Sequence, residues 1–403
     1  MACSAEEERS WSNLPEEVVS LILVRLPLAA QARLCCVCKQ WRSIVHSQEL
    51  QDLRSLMLPS RKPWFVFLAA KGSASRQRHW LAGYDPADEQ WHRLALKLDD
   101  SNRTRVLVAS VGSILCFATV NRKVFQGSTV WICNPFTGCK KMLPPPPSRF
   151  FSHEADDPED LHERFQAIVM DPSTGGFRIL VEGFYRTLDT YDSISNEWTT
   201  TSMDLPSVVE FSISRPIRDG LLYCLAKNPK RVVIYDVRAG IWMDPGTMID
   251  SSVECTRLLE HKGEVLMVGA VTRSLQEGEG GKIVRIGIWK LSILDSVWEE
   301  MECMPTALQD AYLEKNYGNS LYFVGQGDLI YFTSVPRSSN KSIREPLVYN
   351  LSVQAWYWVP EYLMSSRNLM RRKRTSPPVW RSAFGLPNML ACEASLLDAA
   401  ALV

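Results

Sequence analysis

The chain has 403 residues, about 2.7 domains at roughly 150 residues each, although one propeller or barrel can absorb most of that length. With 46% apolar and 22% charged residues it can bury a sizeable core, which excludes global disorder. Its 45 basic and 45 acidic residues provide no overall field for nucleic acid or an anionic membrane surface.

Residues 1–9 carry three consecutive glutamates and no apolar run, so no secretory signal is expected. No uninterrupted apolar stretch reaches the roughly 20 residues that span a bilayer. From residue 11 to 58 the apolar positions recur at helical intervals. Asn13 followed by Glu16 makes a capping box, with Pro15 in the first turn, so a helix is expected there. Val18, Val19, Ile22, Leu23 and Leu26 continue it until Pro27. A second helix is expected over Leu28 to Cys38 and a third over Lys39 to Val45, carrying Trp41 and Ile44. Three short helices make a marginal core, so the module either packs on the rest of the chain or offers leftover apolar surface to another protein.

Leu14-Pro15-Glu16-Glu17-Val18-Val19, then Ile22, Arg25-Leu26-Pro27 and Arg33, and finally Val37-Cys38-Lys39-Gln40-Trp41 stand in the order and spacing of an F-box. The segment resembles that helical module, with which substrate receptors attach to the Skp1-type adaptor of a cullin-RING ubiquitin ligase. The resemblance implies that Leu14, Pro15, Ile22, Leu26, Val37 and Trp41 supply the adaptor-facing or supporting apolar surface.

From Trp64 the texture changes to short β-branched and aromatic runs broken by Gly, Pro, Asn and Asp. Tyr84-Asp85 with Trp91, Tyr191-Asp192 with Trp198, Tyr235-Asp236 with Trp242 and Tyr349-Asn350 with Trp356 each place aromatic and tryptophan seven positions apart. That odd separation suits two strands of a hairpin setting both rings on one buried layer. Cys133-Asn134 before Lys140 is a weaker copy, and Ile288-Trp289 through Trp298 a looser one with a longer turn. The marks Trp91, Lys140, Trp198, Trp242, Trp298 and Trp356 are separated by 49, 58, 44, 56 and 58 residues, one four-stranded blade each, and six in all. A TIM barrel would need amphipathic helices between the strands, and no regular series of them is evident.

Four strands of one unit are placed at Phe165 to Met170, Phe177 to Glu182, Leu188 to Tyr191 and Glu197 to Ser202. The acidic stretch Glu154 to Glu163 follows the prolines Pro144 to Pro147 and reads as a solvated loop or a dock for a basic target segment. The basic run Arg371 to Arg374 reads as an exposed linker or a nuclear import signal. Beyond it, Val379 to Phe384 and Met389 to Leu397 hold enough apolar residues to add a closing strand to the blade begun by Trp64 to Ala69; a small helix over the ring is the alternative.

The repeats resemble kelch repeats as found in plant F-box proteins, over roughly residues 64–396, without the paired glycines of many kelch strands. The expected architecture is therefore a three-helix F-box module at 11–58 and an all-β propeller at 64–397, with six kelch-like four-stranded blades closed by a C-terminal strand.

Eleven cysteines, an odd number, with Cys35, Cys36 and Cys38 close together, fit unpaired thiols in a reducing compartment, so the chain reads as cytoplasmic, nuclear or both. The six histidines lack zinc-ligand spacing, and no phosphate loop, dinucleotide fingerprint or Gly-x-Ser-x-Gly turn occurs. No cofactor, metal or catalytic set is expected. Phe150, Phe151, Phe184, Tyr185 and Phe211 lie outside the repeated positions and are candidates for target contact. The resemblance implies the substrate-recognition subunit of a Skp1-cullin-F-box ligase, reaching cullin and RING subunits through the adaptor and holding an unknown target protein on propeller loops. A non-degradative scaffold and a propeller enzyme are the alternatives.

Overall fold

The computed structural model describes residues 14–57, 62–71, 78–94, 104–120, 129–147, 166–171, 174–182, 187–203, 217–218, 220–226, 229–273, 282–292, 295–317, 319–336, 345–360 and 389–392. Four helices come first: α1 (Glu16–Arg25), α2 (Leu28–Leu34), α3 (Lys39–Val45) and α4 (Gln48–Met57). The expected three are thus four. The additional one is α4, started by Ser47, whose Oγ accepts the Leu50 amide at 3.2 Å. Pro15 is the N-cap of α1 rather than part of its first turn, and its carbonyl accepts from the Val18 and Val19 amides. Asn13, the expected capping residue, lies outside the described residues. Pro27 caps α2, which ends at Leu34, four residues earlier than expected.

Six four-stranded antiparallel sheets follow. The first blade holds β1 (Trp64–Lys71), β2 (Arg78–Asp85) and β3 (Gln90–Arg93). The second holds β4 (Thr104–Val111), β5 (Ile114–Val120), β6 (Thr129–Cys133) and β7 (Lys140–Met142), and the third β8 (Gln166–Met170), β9 (Phe177–Glu182), β10 (Thr187–Asp192) and β11 (Glu197–Ser202). The fourth is built from β12 (Ile217–Arg218), β13 (Leu221–Ala226), β14 (Arg231–Asp236) and β15 (Ile241–Met243). The fifth has β16 (Val253–His261), β17 (Glu264–Arg273), β18 (Lys282–Ser292) and β19 (Val297–Cys303). After a helix, α5 (Thr306–Lys315), the sixth has β20 (Asn319–Gln326), β21 (Leu329–Pro336), β22 (Leu347–Asn350) and β23 (Ala355–Trp358). The last strand, β24 (Met389–Cys392), pairs antiparallel with β1 from Trp64 to Phe67 and completes the first blade as its innermost strand, beside β20 and β4. Val379 to Phe384 lie outside the described residues.

The seven-residue phrase is the register of every outer hairpin. Tyr84 pairs with Trp91, Cys133 with Lys140, Tyr191 with Trp198, Tyr235 with Trp242, Leu291 with Trp298 and Tyr349 with Trp356. The fifth copy was expected to be looser, starting at Ile288-Trp289. Its hairpin instead has the common length, and what differs is a leucine at the tyrosine position and a register shift at Ile288/Trp289. The ring pairs are close, with centroids 5.2 Å apart for Tyr84 and Trp91 and 4.6 Å for Tyr349 and Trp356.

The Asp or Asn after the pairing residue folds the turn. Asp85, Asn134, Asp192, Asp236 and Asn350 each accept an amide from two residues onward through a side-chain oxygen. Five residues after the pairing position the backbone is left-handed in all six hairpins: φ is 55° at Glu89, 79° at Gly138, 57° at Asn196, 70° at Gly240, 53° at Ser296 and 50° at Gln354. Tryptophan also ties neighbouring blades. Trp91 Nε1 donates to the Pro360 carbonyl at 2.7 Å and Trp198 Nε1 to that of Pro144 at 2.8 Å, each acceptor lying just past the outer strand of the preceding blade.

This order of strands puts the first-to-second and third-to-fourth turns at one end of the ring, and all other connections at the opposite end. The helices sit at the short-turn end. Val19, Leu23, Val24, Leu28, Ile44, Val45 and Leu50 form one buried cluster with Trp64, Leu115, Phe117 and Phe136, the last from the outer turn of the second blade. The Tyr331 hydroxyl donates to the Pro63 carbonyl at 3.2 Å, fixing the approach of the chain to β1.

Candidate functional site

α1 is apolar on two sides. Val19, Leu23 and Val24 turn into the cluster shared with the propeller, while Val18, Leu21 and Ile22, at 38 to 39% exposure, face outward. These three are spaced i, i+3 and i+4 and so share a face. Val37, in the turn between α2 and α3, is 64% exposed. The six residues singled out by the sequence therefore divide. Pro15, Ile22 and Val37 are exposed, whereas Leu14, Leu26 and Trp41 are half-buried and pack against the core that holds the exposed ones in place. Val18 and Leu21 were missed as surface candidates. Their signal was an α1 with more apolar residues than one buried stripe can use.

Also missed was a polar knot beneath this surface. Gln31 is fully buried; its Nε2 donates to the carbonyl of Leu23 at 2.6 Å, which also accepts the Leu26 amide, and to that of Leu26 at 3.1 Å, just past the end of α1. Its Oε1 accepts from Arg54 Nη1 of α4 at 2.8 Å. Arg54 also exerts a favourable field on Asp85 in the outer turn of the first blade, although burial dominates and holds that carboxyl above its usual range. One glutamine thus joins three helices, and Arg54 adds a minor electrostatic link to the propeller beside the apolar cluster that connects the two.

The cysteines beside Val37 have structural duties. Cys38 Sγ accepts the Trp41 amide at 3.4 Å as the N-cap of α3, and Cys35 Sγ donates to the Gln31 carbonyl at 3.4 Å. Burial, and then the neighbouring Cys36, push the Cys35 thiol up. Cys133 is buried in the core.

Among the described residues, Asp85, Asp88 and His92 bring ligand atoms within 4.8 Å of one another. Asp85 spends one oxygen on the Ala87 amide, Asp88 faces His92 Nε2 at 3.1 Å, and the imidazole stacks on Trp64 at 5.2 Å. Turn formation and packing account for all three. The proposed target-contact residues Phe150, Phe151, Phe184, Tyr185 and Phe211 lie outside the described residues, as do the acidic stretch from Glu154 and the basic run from Arg371. The described strands that flank these segments in sequence, β7 and β8, β9 and β10, and β11 and β12, have their facing ends on the side of the ring opposite the helices. No helix among the described residues is long and apolar enough to cross a membrane.

A family model described as the KIB1-4 beta-propeller matches residues 83–350, and one described as the F-box domain matches residues 11–52. Among curated proteins, the chain is 23% identical to F-box only protein 6 of Arabidopsis thaliana, over 88% of this chain and 70% of that protein. It is 24% identical to the protein UNUSUAL FLORAL ORGANS of the same plant, over 87% of this chain and 79% of the other. A similarity of 23% identity to an F-box/kelch-repeat protein of Arabidopsis thaliana covers 86% of this chain and 84% of that one.

Proposed function

The chain belongs to the KIB1-4 β-propeller family and carries an F-box domain before the propeller, and from that premise we propose that it is the substrate-recognition subunit of a Skp1-cullin-F-box ubiquitin ligase. In this reading the unit at 11–58 holds the Skp1-type adaptor, and through it cullin and RING subunits. The unit at 64–397 holds a target protein. The chain contributes no catalytic group: by fixing the target beside a thioester carried by a partner, it raises the local concentration of acceptor lysines. It would work in the cytoplasm, the nucleus or both.

The observation that carries the reading is the second apolar face of α1. The helical unit already completes its core against the propeller, yet Val18, Leu21, Ile22 and Val37 remain outward. A patch left over after the core is satisfied is what a partner surface requires. Pro15, Ile22 and Val37 would touch the adaptor, while Leu14, Leu26 and Trp41 set their positions. The target would meet the opposite end of the ring, where Phe150, Phe151, Phe184, Tyr185 and Phe211 belong to the connections. This arrangement leaves adaptor and target free of each other.

The test is reconstitution of the purified chain with a Skp1-type adaptor and cullin. Ile22→Asp combined with Val37→Asp should abolish co-elution without changing the melting temperature. A stable complex with the doubly substituted chain would overturn the reading.

A further inference from the structure

Residues 18–48 depart from the charge balance of the whole chain: they carry four cations, Arg25, Arg33, Lys39 and Arg42, and no carboxylate. All four are exposed, and among the described residues none has an ion-pair or hydrogen-bond partner for its side chain. They border the outward apolar face. Arg25 stands one turn beyond Leu21 and Ile22 and two beyond Val18, so it continues their stripe on α1. In the last turn of α2 stands Arg33, and Lys39 opens α3, so the two flank the turn that carries the exposed Val37. Arg42 follows Lys39 by one turn, close enough to the Cys35 thiol to oppose the upward push of burial on it. Glu16 and Glu17 occupy the opposite end of α1, roughly 12 Å from Arg25 along the axis.

Three of the four have a helical reason to stand where they do. Arg25, Arg33 and Arg42 each lie in the last turn of their helix, where a cation complements the negative end of the macrodipole. Lys39 does not. It is the first residue of α3, where the positive end disfavours a cation, and the first turn holds no acid to offset it. α4 shows the ordinary arrangement, with Glu49 in its first turn and Arg54 in its last, the latter bonded to Gln31. A cation held against its own helix, unpaired and beside an outward apolar patch, is explained by a charge outside this chain.

On the premise that this face holds the adaptor, we propose that the adaptor meets it with a carboxylate-bearing rim, and that Arg25, Arg33, Lys39 and Arg42 select an acidic adaptor surface over a neutral one. Val18, Leu21, Ile22 and Val37 supply the apolar area at the centre of the contact. The cations around them act before contact is made. Rim charges raise the association rate and set its salt dependence, and they add little to the final affinity where water still screens them. Each guanidinium can take a carboxylate in a two-point bond, whereas the Lys39 ammonium acts as a point charge. An adaptor lacking carboxylates at these places is rejected by slow encounter, with no steric clash.

Association of the full chain with a purified Skp1-type adaptor, followed by stopped flow at several salt concentrations, tests this. The wild-type on-rate should fall about tenfold between roughly 0.03 and 0.5 M salt, with little change in off-rate. Lys39→Glu is the deciding variant, because its two effects have opposite signs. An acid in the first turn of α3 should hold or raise the melting temperature, while association slows about threefold or more. Changing Arg25, Arg33 and Arg42 together to Gln should also slow association, and changing them to Lys should keep the wild-type rate. Adaptor binding at a rate indifferent to salt and to Lys39→Glu would overturn the acidic rim and leave the adaptor reading intact. No adaptor binding by the wild-type chain would sink that reading and the rim with it. Retention on vesicles of phosphatidylcholine and phosphatidylserine that Lys39→Glu abolishes, with the adaptor on-rate unmoved, would assign the cations to a lipid surface and equally overturn the proposal.

Discussion

Gln31 and Arg54 are 23 positions apart and bonded at 2.8 Å, and that bond is where the end of α1, the middle of α2 and the last turn of α4 meet. Gln31→Ala removes three hydrogen bonds at once and strands the carbonyl of Leu26, while that of Leu23 keeps the Leu26 amide. A stability loss of about 2–4 kcal/mol is expected. Arg54→Met leaves Gln31 Oε1 without its donor and withdraws the favourable field from Asp85, for an expected loss of about 1–3 kcal/mol. Urea denaturation checks both.

Surface and core positions of α1 should separate cleanly. Ile22→Asp is expected to weaken adaptor binding at least tenfold while changing stability by less than about 0.5 kcal/mol. Leu23→Ala, one residue on, should instead cost about 2–5 kcal/mol. Titration calorimetry paired with thermal melts distinguishes the two effects.

The shared left-handed residue of the outer hairpins predicts opposite signs for opposite substitutions. Glu89, Ser296 and Gln354 hold positive φ with a side chain, so changing any of them to glycine should stabilise the chain, by about 0.5–1 kcal/mol. Gly240→Ala should destabilise by about 1 kcal/mol. The added methyl group there has room, its nearest neighbour being the Tyr235 hydroxyl at 3.8 Å, so the loss would report backbone conformation alone. Melting temperatures of the four variants decide the matter.

Asp192 gives a pH signature. Partial burial pushes its carboxyl up, but the amides of Ile194 and Ser195 and the Arg178 guanidinium outweigh burial and hold it below the ordinary carboxylate range. The unfolded chain therefore binds the proton first as pH falls. The contribution to stability is complete above pH of about 4, and is lost as acidity passes through the lower folded value. Because Arg178 and Asp192 are each about one-third exposed, the effect should stay below about 1 kcal/mol. Asp192→Asn should be less stable than the parent at pH 7 and approach it below pH 4. A gap that stays constant between these pH values in urea titrations would rule the account out.

Removing residues 376–403 deletes β24 and leaves β1 with a free edge. Loss of the cooperative transition and rapid proteolysis are expected. A synthetic peptide of residues 386–397 supplied in excess should restore protection by pairing with β1.

The sheet architecture was legible because the repeat writes the same chemistry at each blade: an aromatic, an Asp or Asn whose side chain folds the turn, and a tryptophan seven positions on. Where that chemistry lapsed, reading did too. Leu291 in place of a tyrosine displaced the fifth phrase to Ile288-Trp289. The helix α5 left no periodic trace because polar groups hold it: Gln309 Oε1 accepts the Ile286 amide at 2.8 Å, and the Tyr312 hydroxyl donates to the Thr333 carbonyl at 2.7 Å. At the candidate site, the motif picked out Ile22 and Val37 as partner-facing candidates but was silent on Gln31. A glutamine in a helix reads as solvated until tertiary structure closes over it.

The pairing of β24 with β1 also sets an order in time. Met389 follows Lys71 by 318 residues, so the first sheet to leave the ribosome waits for its inner strand through the synthesis of the other five. At about 5–20 residues per second that interval lasts roughly 16–64 s. Throughout it, β1 presents the bare edge that aggregation and chaperones both recognise. Slow codons or a stalled ribosome in the last third of the message would lengthen that exposure, so the yield of this protein should respond to elongation rate more steeply than that of a propeller closed within one blade's length of chain.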